Sequence, residues 1–278
     1  MTHDDESSSQ NDEELRKCLK PDPEEDQILQ AIRETYQVSN VSIVKHLESY
    51  DDCNYLVLIN GTKYLAKVYN GVESAAYIRC NDNNIDQLSS IHLHAFIFDH
   101  LNQSKFGVKT SSPLPIPGKD SAPHVSVHSL PVTSKKHSPA KLMLQVLNWV
   151  EGSTMSSSPV LPIETLADAG RYLGKVCIAL DDLTSSNENA RKAANRYHAW
   201  DGQHTMDLRK FVHCIDNIER RNLVLSVLDS FESDLVGSGD VQSFRKGILM
   251  ADFNDANIIL DQDKNVGGVI DFGDSTFR

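Results

Sequence analysis

The feature that most constrains the fold is the Asn60–Gly61 pair, which stands between two runs rich in β-branched and aromatic residues. Asn-Gly is the strongest short-range signal for a two-residue β-hairpin, because both turn positions require a positive φ. The flanking runs, 54–59 and 62–69, therefore predict paired antiparallel strands, and a similar run over 41–49 predicts a third. A chain with this pattern is expected to fold around an antiparallel sheet.

Helical spacing of apolar residues precedes and follows these strands. Helices are predicted over 24–36, 85–102, 161–183, 205–221 and 222–236. Further strands are predicted over 124–130, 141–150, 246–250, 257–261 and 266–272. A β-rich first half is thus joined by one strand to a mainly helical second half, which predicts an α+β protein with two lobes.

Charge is unevenly distributed along the 278 residues, whose formal net charge is −12. Residues 1–26 contain ten acidic residues and three basic ones, which predicts a disordered acidic tail. Basic residues are not concentrated in any segment, so no nucleic-acid partner is expected. No apolar run approaches the ~20 residues that span a bilayer, so no membrane partner is expected either. Five scattered cysteines and the absence of a secretory signal pattern favour a cytoplasmic protein with reduced thiols.

A polar cluster near the end of the sequence contains the candidate metal ligands and the candidate base. Asp252 follows a strand-like run, Asn257 starts the next, and Asp271 ends the return strand of the resulting hairpin. A hairpin of this length can bring Asn257 and Asp271 side by side, and amide and carboxylate oxygens are suitable ligands for Mg²⁺. Asp252 would lie nearby as a base. Asp and Asn also favour turns and caps, and Asn254 and Asp255 are interpreted as residues that shape the loop.

The spacing of these polar residues matches the motifs of enzymes that transfer phosphoryl groups. Kinases use D-x-x-x-x-N for the base and one metal ligand, then D-F-G for the second ligand, and both patterns occur here in that order. Such enzymes also place a lysine on the third strand, where Lys67 lies. A lone strand lysine is more often solvent-facing, but its position after the hairpin favours contact with nucleotide phosphates. The glycine-free loop over 49–54 is expected to overhang the nucleotide.

Five segments carry a resemblance to a known family: SYDDCNYLV, YLAKVYN, MLQVLNWVEG, SFRKGILMADFNDANIILD and GVIDFGD. Together they resemble the aminoglycoside phosphotransferase/choline kinase-like family over roughly residues 28–278, and within it most closely the hydroxylysine kinase branch. The resemblance implies a protein-kinase-like fold. Its N-lobe sheet with a helix would occupy residues 27–152, and a partial helical C-lobe would occupy residues 153–278.

The resemblance also implies roles for individual residues. Asp252 would be the catalytic base, Asn257 and Asp271 would bind Mg²⁺, and Lys67 would contact the nucleotide phosphates. The segment 146–150 would be a hinge whose backbone binds the purine of GTP or ATP, through Leu147, Asn148 and Trp149. The acceptor would be a small cationic amino acid or amino alcohol, with the side-chain hydroxyl of 5-hydroxy-L-lysine as the leading candidate.

Three departures from the family pattern affect these expectations. Met250–Ala251 stands where the family has His-Gly, and the glutamate that should pair with Lys67 falls at Ser90, with Asp86 one turn earlier as a substitute. Family chains also continue well beyond the D-F-G-D segment, so the C-lobe is expected to be incomplete.

Two alternatives to a hydroxylysine kinase therefore stay open. One is a truncated pseudokinase or nucleotide-binding remnant without turnover, and the other is a kinase for choline, ethanolamine or another amino alcohol. His92 and His94 are interpreted as packing or surface residues, and Trp149 and Trp200 as core or lobe-interface residues. The oligomeric state is left undetermined by the sequence.

Overall fold

A five-stranded antiparallel sheet forms the first lobe, with strand order β1-β2-β3-β5-β4. The computed structural model describes residues 13–82, 88–120, 122–198 and 201–278. The sheet strands are β1 (Val41–Leu47), β2 (Cys53–Ile59), β3 (Thr62–Val68), β4 (Ser126–Leu130) and β5 (Ala140–Asn148). The turn between β2 and β3 has positive φ at Asn60 (52°) and Gly61 (83°), as the hairpin signal predicted.

Helices pack on this sheet and form most of the second lobe. They are α1 (residues 13–18), α2 (Glu25–Tyr36), α3 (Gly71–Asp82), α4 (Ser90–Leu101), α5 (Ile163–Ser186), α6 (Glu188–Ala194) and α7 (Ile218–Phe231). Shorter 3₁₀ segments cover Ser104–Phe106, Met155–Ser157, Gly202–Cys214 and Asp240–Ser243, and a π-helical turn covers Glu232–Val236. The α+β class with an antiparallel N-lobe sheet and a helical C-terminal region is therefore confirmed.

Two small sheets belong to the second lobe. One contains β6 (Ser153–Thr154), β8 (Ile258–Leu260) and β9 (Val266–Val269) in the order β6-β8-β9. The other pairs β7 (Ile248–Leu249) with β10 (Thr276–Phe277). Strands β8 and β9 form the hairpin that the sequence predicted between the two polar motifs.

Two hydrophobic cores correspond to the two lobes. The first lies between the sheet and α2, where Ile28, Ile32 and Tyr36 are buried against sheet residues. The second joins α4, α5 and α6 to β7, β9 and Phe272. Helix α4 thus packs mainly with the helical lobe, in the same core as the strands that carry the polar motifs. Among the described residues, no helix has the length and apolar character needed to cross a membrane.

Helix boundaries differ from the sequence prediction where a side chain caps a helix. The Asn217 side chain accepts a hydrogen bond from Arg220 N–H, so α7 begins at Ile218 and the preceding predicted helix is a 3₁₀ segment. Ser89 and His92 form a reciprocal cap that starts α4 at Ser90, whereas residues 83–87 of the predicted helix lie outside the described residues.

The beginning of the chain also differs from the predicted disordered tail. Residues 1–12 lie outside the described residues, but residues 13–26 are packed on the first lobe. Arg16 forms ion pairs with Asp51 and Glu73, and Asp22 N–H donates to the carbonyl of Pro131. These specific pairings order an acidic segment whose composition alone predicted disorder.

Candidate active site

The loop between β7 and β8 places Asp252 at the end of a tight turn. Ala251 has a φ of 62°, and Asp252 N–H donates to the carbonyl of Met250 at 2.8 Å. This left-handed conformation costs an alanine roughly 1–2 kcal/mol. Met250 is buried in the core of the helical lobe, so it anchors the loop by packing instead of by a histidine hydrogen bond.

Two asparagine side chains hold the Asp252 carboxylate. Asn254 Nδ2 donates to one carboxylate oxygen at 2.7 Å, and Asn257 Nδ2 donates to the other at 2.8 Å. Asn254 Oδ1 also accepts the backbone N–H groups of Ala256 and Asn257. The carboxylate is therefore fixed in orientation, and each oxygen keeps acceptor capacity for one more donor.

The β8–β9 hairpin brings Asn257 beside Ile270, the residue that precedes Asp271. Ile258 pairs with Val269, and the N–H of Ile270 donates to the carbonyl of Asn257 at 2.9 Å. Asn257 uses its Nδ2 on Asp252, which turns its amide oxygen away from that carboxylate. Asp271 has a φ of 59° and accepts the N–H of Gly273 at 3.0 Å, which fixes its side chain beside the hairpin end.

Lys67 lies on β3 with its ammonium group largely buried. Its Nζ is 2.8 Å from Asp52 Oδ2 and 5.0 Å from the ring centroid of Tyr69. Burial alone would lower the pKa of Lys67, but Asp52 and Asp271 outweigh it and raise that pKa well above its ordinary value. In return, the positive charge of Lys67 lowers the pKa of Asp271 against the opposing effect of burial. Lys67 of the first lobe and Asp271 of the second thus lie close enough for each to stabilise the charge of the other.

Residues 146–150 connect the lobes as an extended segment. Asn148 N–H donates to the carbonyl of Ser112 at 2.8 Å, and the carbonyl of Val146 accepts Leu114 N–H at 2.7 Å. Leu147 is buried and Trp149 is half-buried. The segment 112–114 therefore bonds two backbone groups of the predicted hinge, the N–H of Asn148 and the carbonyl of Val146. A purine would have to bind to other backbone groups of the hinge.

Two residues near Lys67 were not assigned to the site from the sequence. Asp52 is its ion-pair partner, and strand register gives the signal for it, because Lys67 lies opposite Asn54 and Asp52 is two residues away on the same face. His94, interpreted as a packing or surface residue, is buried near Lys67 and Asp271. Burial, assisted by the charge of Lys67, lowers the pKa of His94 to about 4, which keeps it neutral.

The donor atoms around Asn257 and Asp271 fit magnesium. Mg²⁺ is commonly bound by one or two protein oxygens, with phosphate oxygens and water completing its shell. One amide oxygen and one carboxylate, both fixed by neighbouring hydrogen bonds, meet this requirement. Within the described residues, no group of three or more His, Cys, Asp or Glu side chains could hold a metal by itself.

Known proteins are similar to this chain over most of its length. Residues 43–277 match the phosphotransferase enzyme family, called APH. Hydroxylysine kinase from Xenopus laevis is 25% identical over 276 residues, an alignment that covers 93% of this chain and 67% of that protein.

Solved structures share the fold at lower sequence identity. A microcompartment-associated aminopropanol kinase matches with a TM-score of 0.59 and 17% identity, covering 90% of this chain and 70% of that one. The GDP complex of wild-type aminoglycoside 2′-phosphotransferase-IIIa matches with a TM-score of 0.55 and 12% identity, covering 91% and 74% of the two chains.

Because the family match spans most of the described chain and includes both polar motifs, this chain belongs to the phosphotransferase enzyme family.

Proposed function

We propose that this chain is a small-molecule kinase that transfers the γ-phosphoryl group of GTP or ATP to the side-chain hydroxyl of 5-hydroxy-L-lysine. The observation that carries the proposal is the Asp252 carboxylate, held by Asn257 at 2.8 Å on the hairpin whose far end carries Asp271. Family membership supports phosphoryl transfer, and the similarity to Xenopus hydroxylysine kinase supports this acceptor.

In this proposal Asp252 accepts the proton of the acceptor hydroxyl. Its two oxygens are already oriented by Asn254 and Asn257, so the hydroxyl meets a fixed acceptor and little reorganisation is needed. Lys67 faces the nucleotide phosphates with a permanent positive charge. The residues thus contribute mainly positioning and electrostatic stabilisation, as phosphoryl transfer requires.

Asn257 and Asp271 would hold magnesium through the amide oxygen and the carboxylate. When bound, the metal neutralises negative charge on the transferred phosphoryl group and its leaving group. Nucleotide would lie between the lobes, with its purine against the hinge segment that includes Leu147, Asn148 and Trp149. We also propose a cytoplasmic protein, on the basis of five free cysteines and no disulfide among the described residues.

A second acceptor class has specific support. The structural similarity to an aminopropanol kinase favours a small amino alcohol, of which choline and ethanolamine are further examples. The third candidate, a nucleotide-binding remnant without turnover, rests on Met250–Ala251 in place of the family's His-Gly. Both alternatives predict results different from those of the first.

An acceptor panel tests the proposal. The protein is incubated with Mg²⁺ and either GTP or ATP, and with 5-hydroxylysine, lysine, choline, ethanolamine or 1-amino-2-propanol, and phosphorylated products are detected by mass spectrometry. We expect a phosphorylated product from 5-hydroxylysine and none from lysine, which lacks the hydroxyl. If only the amino alcohols give a phosphorylated product, the acceptor is an amino alcohol and not 5-hydroxylysine. If the protein binds nucleotide but gives no product, it is the nucleotide-binding remnant without turnover.

A further inference from the structure

The ion pair between Lys67 and Asp52 is the closest charge contact at the candidate nucleotide site. The two groups are 2.8 Å apart, and their side chains are only 15% and 13% exposed. Asp52 directly precedes β2, and Asn54 lies opposite Lys67 in the β2–β3 ladder. The pairing therefore follows from strand register, because the β2–β3 ladder places the residue just before β2 diagonally across from Lys67.

The second oxygen of Asp52 is held by the backbone that follows β3. Asp52 Oδ1 accepts the N–H of Asn70 at 2.8 Å. Asn70 is completely buried, and its Nδ2 donates to the carbonyls of Arg16 and Asp51 while its Oδ1 accepts Val72 N–H. These bonds join three chain segments behind the carboxylate. Asp52 is consequently pre-oriented, because both of its oxygens are already in use.

The helix that faces the cleft contributes no carboxylate toward Lys67 among its described residues. Helix α4 presents the neutral His94 near Lys67 and Asp271. Glu73, on α3, is paired with Arg16. Apart from Asp52, described carboxylates that interact with Lys67 are Asp271, at the proposed metal site, and Asp51, which forms its ion pair with Arg16. The counter-charge that kinases take from a helix glutamate is thus supplied here by the residue that directly precedes β2.

We propose that Asp52 is the positioning residue for Lys67: it orients the ammonium toward the nucleotide phosphates in place of a helix glutamate. This inference rests on the proposed nucleotide site but not on any particular acceptor. Removing Asp52 is expected to leave Lys67 charged but free to adopt other rotamers. The contribution of Lys67 to the binding affinity for the triphosphate should therefore become smaller. An error of about 1 Å in such positioning can reduce a rate on the order of 10²-fold.

A double-mutant cycle on nucleotide binding tests the inference without requiring turnover. The dissociation constant of GMP-PNP or AMP-PNP with Mg²⁺ is measured for wild type, Asp52→Asn, Lys67→Met and the double variant. Replacing Asp52 also removes a negative charge near the phosphates, but this effect is present in both Lys67 backgrounds and cancels in the cycle. We expect the affinity loss caused by Lys67→Met to be at least about fivefold smaller in the Asp52→Asn background.

Asp51→Asn is the matched control, because Asp51 is the neighbouring carboxylate but forms its ion pair with Arg16, and it interacts with Lys67 only through longer-range charge. In this background Lys67→Met should cost the same affinity as in wild type, within about twofold. Asp52→Glu, which keeps the charge, should restore part of the coupling. If Lys67→Met fails to unfold cooperatively, Lys67→Gln replaces it in the cycle.

The outcomes separate this inference from the proposed function. Independent effects of the two substitutions on nucleotide affinity, or equal coupling in the Asp51→Asn series, would overturn the positioning role of Asp52 alone. Failure of the wild type to bind either nucleotide would overturn the nucleotide site and the positioning role together. Nucleotide binding with the expected coupling but no acceptor turnover would support the role of Asp52 and contradict only the proposed activity.

Discussion

Gly152 joins the hinge to the hairpin that carries both proposed metal ligands, and Gly152→Ala should destabilise the protein through that contact. The residue has a φ of +137° and precedes β6, whose Ser153 pairs with Leu260 of β8. A Cβ at this position would overlap the carbonyl oxygen of Leu260 and lie 2.7 Å from Cγ2 of Ile259. The obstruction includes backbone, so side-chain rotation alone cannot relieve it.

Two costs add at this position. The backbone conformation costs a non-glycine residue on the order of 1–3 kcal/mol. Forcing a methyl group into the occupied space between the hinge and β8 costs about 1–3 kcal/mol more. Gly152→Ala should therefore lower the free energy of unfolding by about 2–6 kcal/mol.

Gly61→Ala is the matched control, because Gly61 also has a positive φ, 83°, but a methyl group added there would meet no atom within 4 Å. Only a conformational cost applies at Gly61, so the larger loss expected at Gly152 reports the contact together with the more extreme φ of 137° there. Urea unfolding followed by circular dichroism gives both free energies if the transitions are two-state. Equal destabilisation within about 0.5 kcal/mol, the usual size of a surface effect, would refute the proposed packing of the hinge on the hairpin.

Two further predictions concern charge and metal at the cleft. The pKa of His94 in the folded protein, about 4, lies below its ordinary value of 6.5, so the unfolded chain binds the proton first and stability is lost as pH falls from 6.5 towards 4. His94→Gln should show a smaller drop of the urea midpoint over this range, and an unchanged drop would contradict the burial of a neutral imidazole. Removing divalent metal with EDTA should weaken binding of GTP or ATP but not of guanosine or adenosine, and Asn257→Ala should reproduce this selectivity in calorimetry. If EDTA or Asn257→Ala weakened the binding of nucleoside and triphosphate equally, the assignment of Asn257 as a metal ligand would be wrong.

Local patterns were enough to predict the sheet and the polar loop. The Asn60–Gly61 turn fixes the β2–β3 register, because a two-residue loop leaves no freedom in which residues face each other. The same reasoning predicted the β8–β9 hairpin, in which Ile270 N–H donates to the carbonyl of Asn257. Regular periodicity and a defined turn determine such elements locally.

Features that depend on tertiary contacts were missed. Helix α3 was not among the predicted helices, because its apolar residues do not form one face. The short strands β6 and β10 exist through pairing with distant segments, and two-residue strands have no periodicity to detect. His94 and Asp52 acquire their positions only when α4 and the sheet pack around Lys67. Sequence spacing cannot predict which residues become buried only when elements of the two lobes pack against each other.

Asp252→Asn tests the central claim most directly, with Asp255→Asn as the matched control in the same loop. Asp255 is exposed, and its backbone carbonyl, which accepts Ser156 N–H, is retained in that variant. The phosphorylation rate of 5-hydroxylysine is measured with saturating Mg²⁺ and GTP or ATP, together with nucleotide affinity. We predict that Asp252→Asn lowers kcat on the order of 10²–10⁴-fold with nucleotide affinity nearly unchanged, whereas Asp255→Asn retains activity. Comparable kcat values for Asp252→Asn and wild type would contradict the assignment of Asp252 as the base.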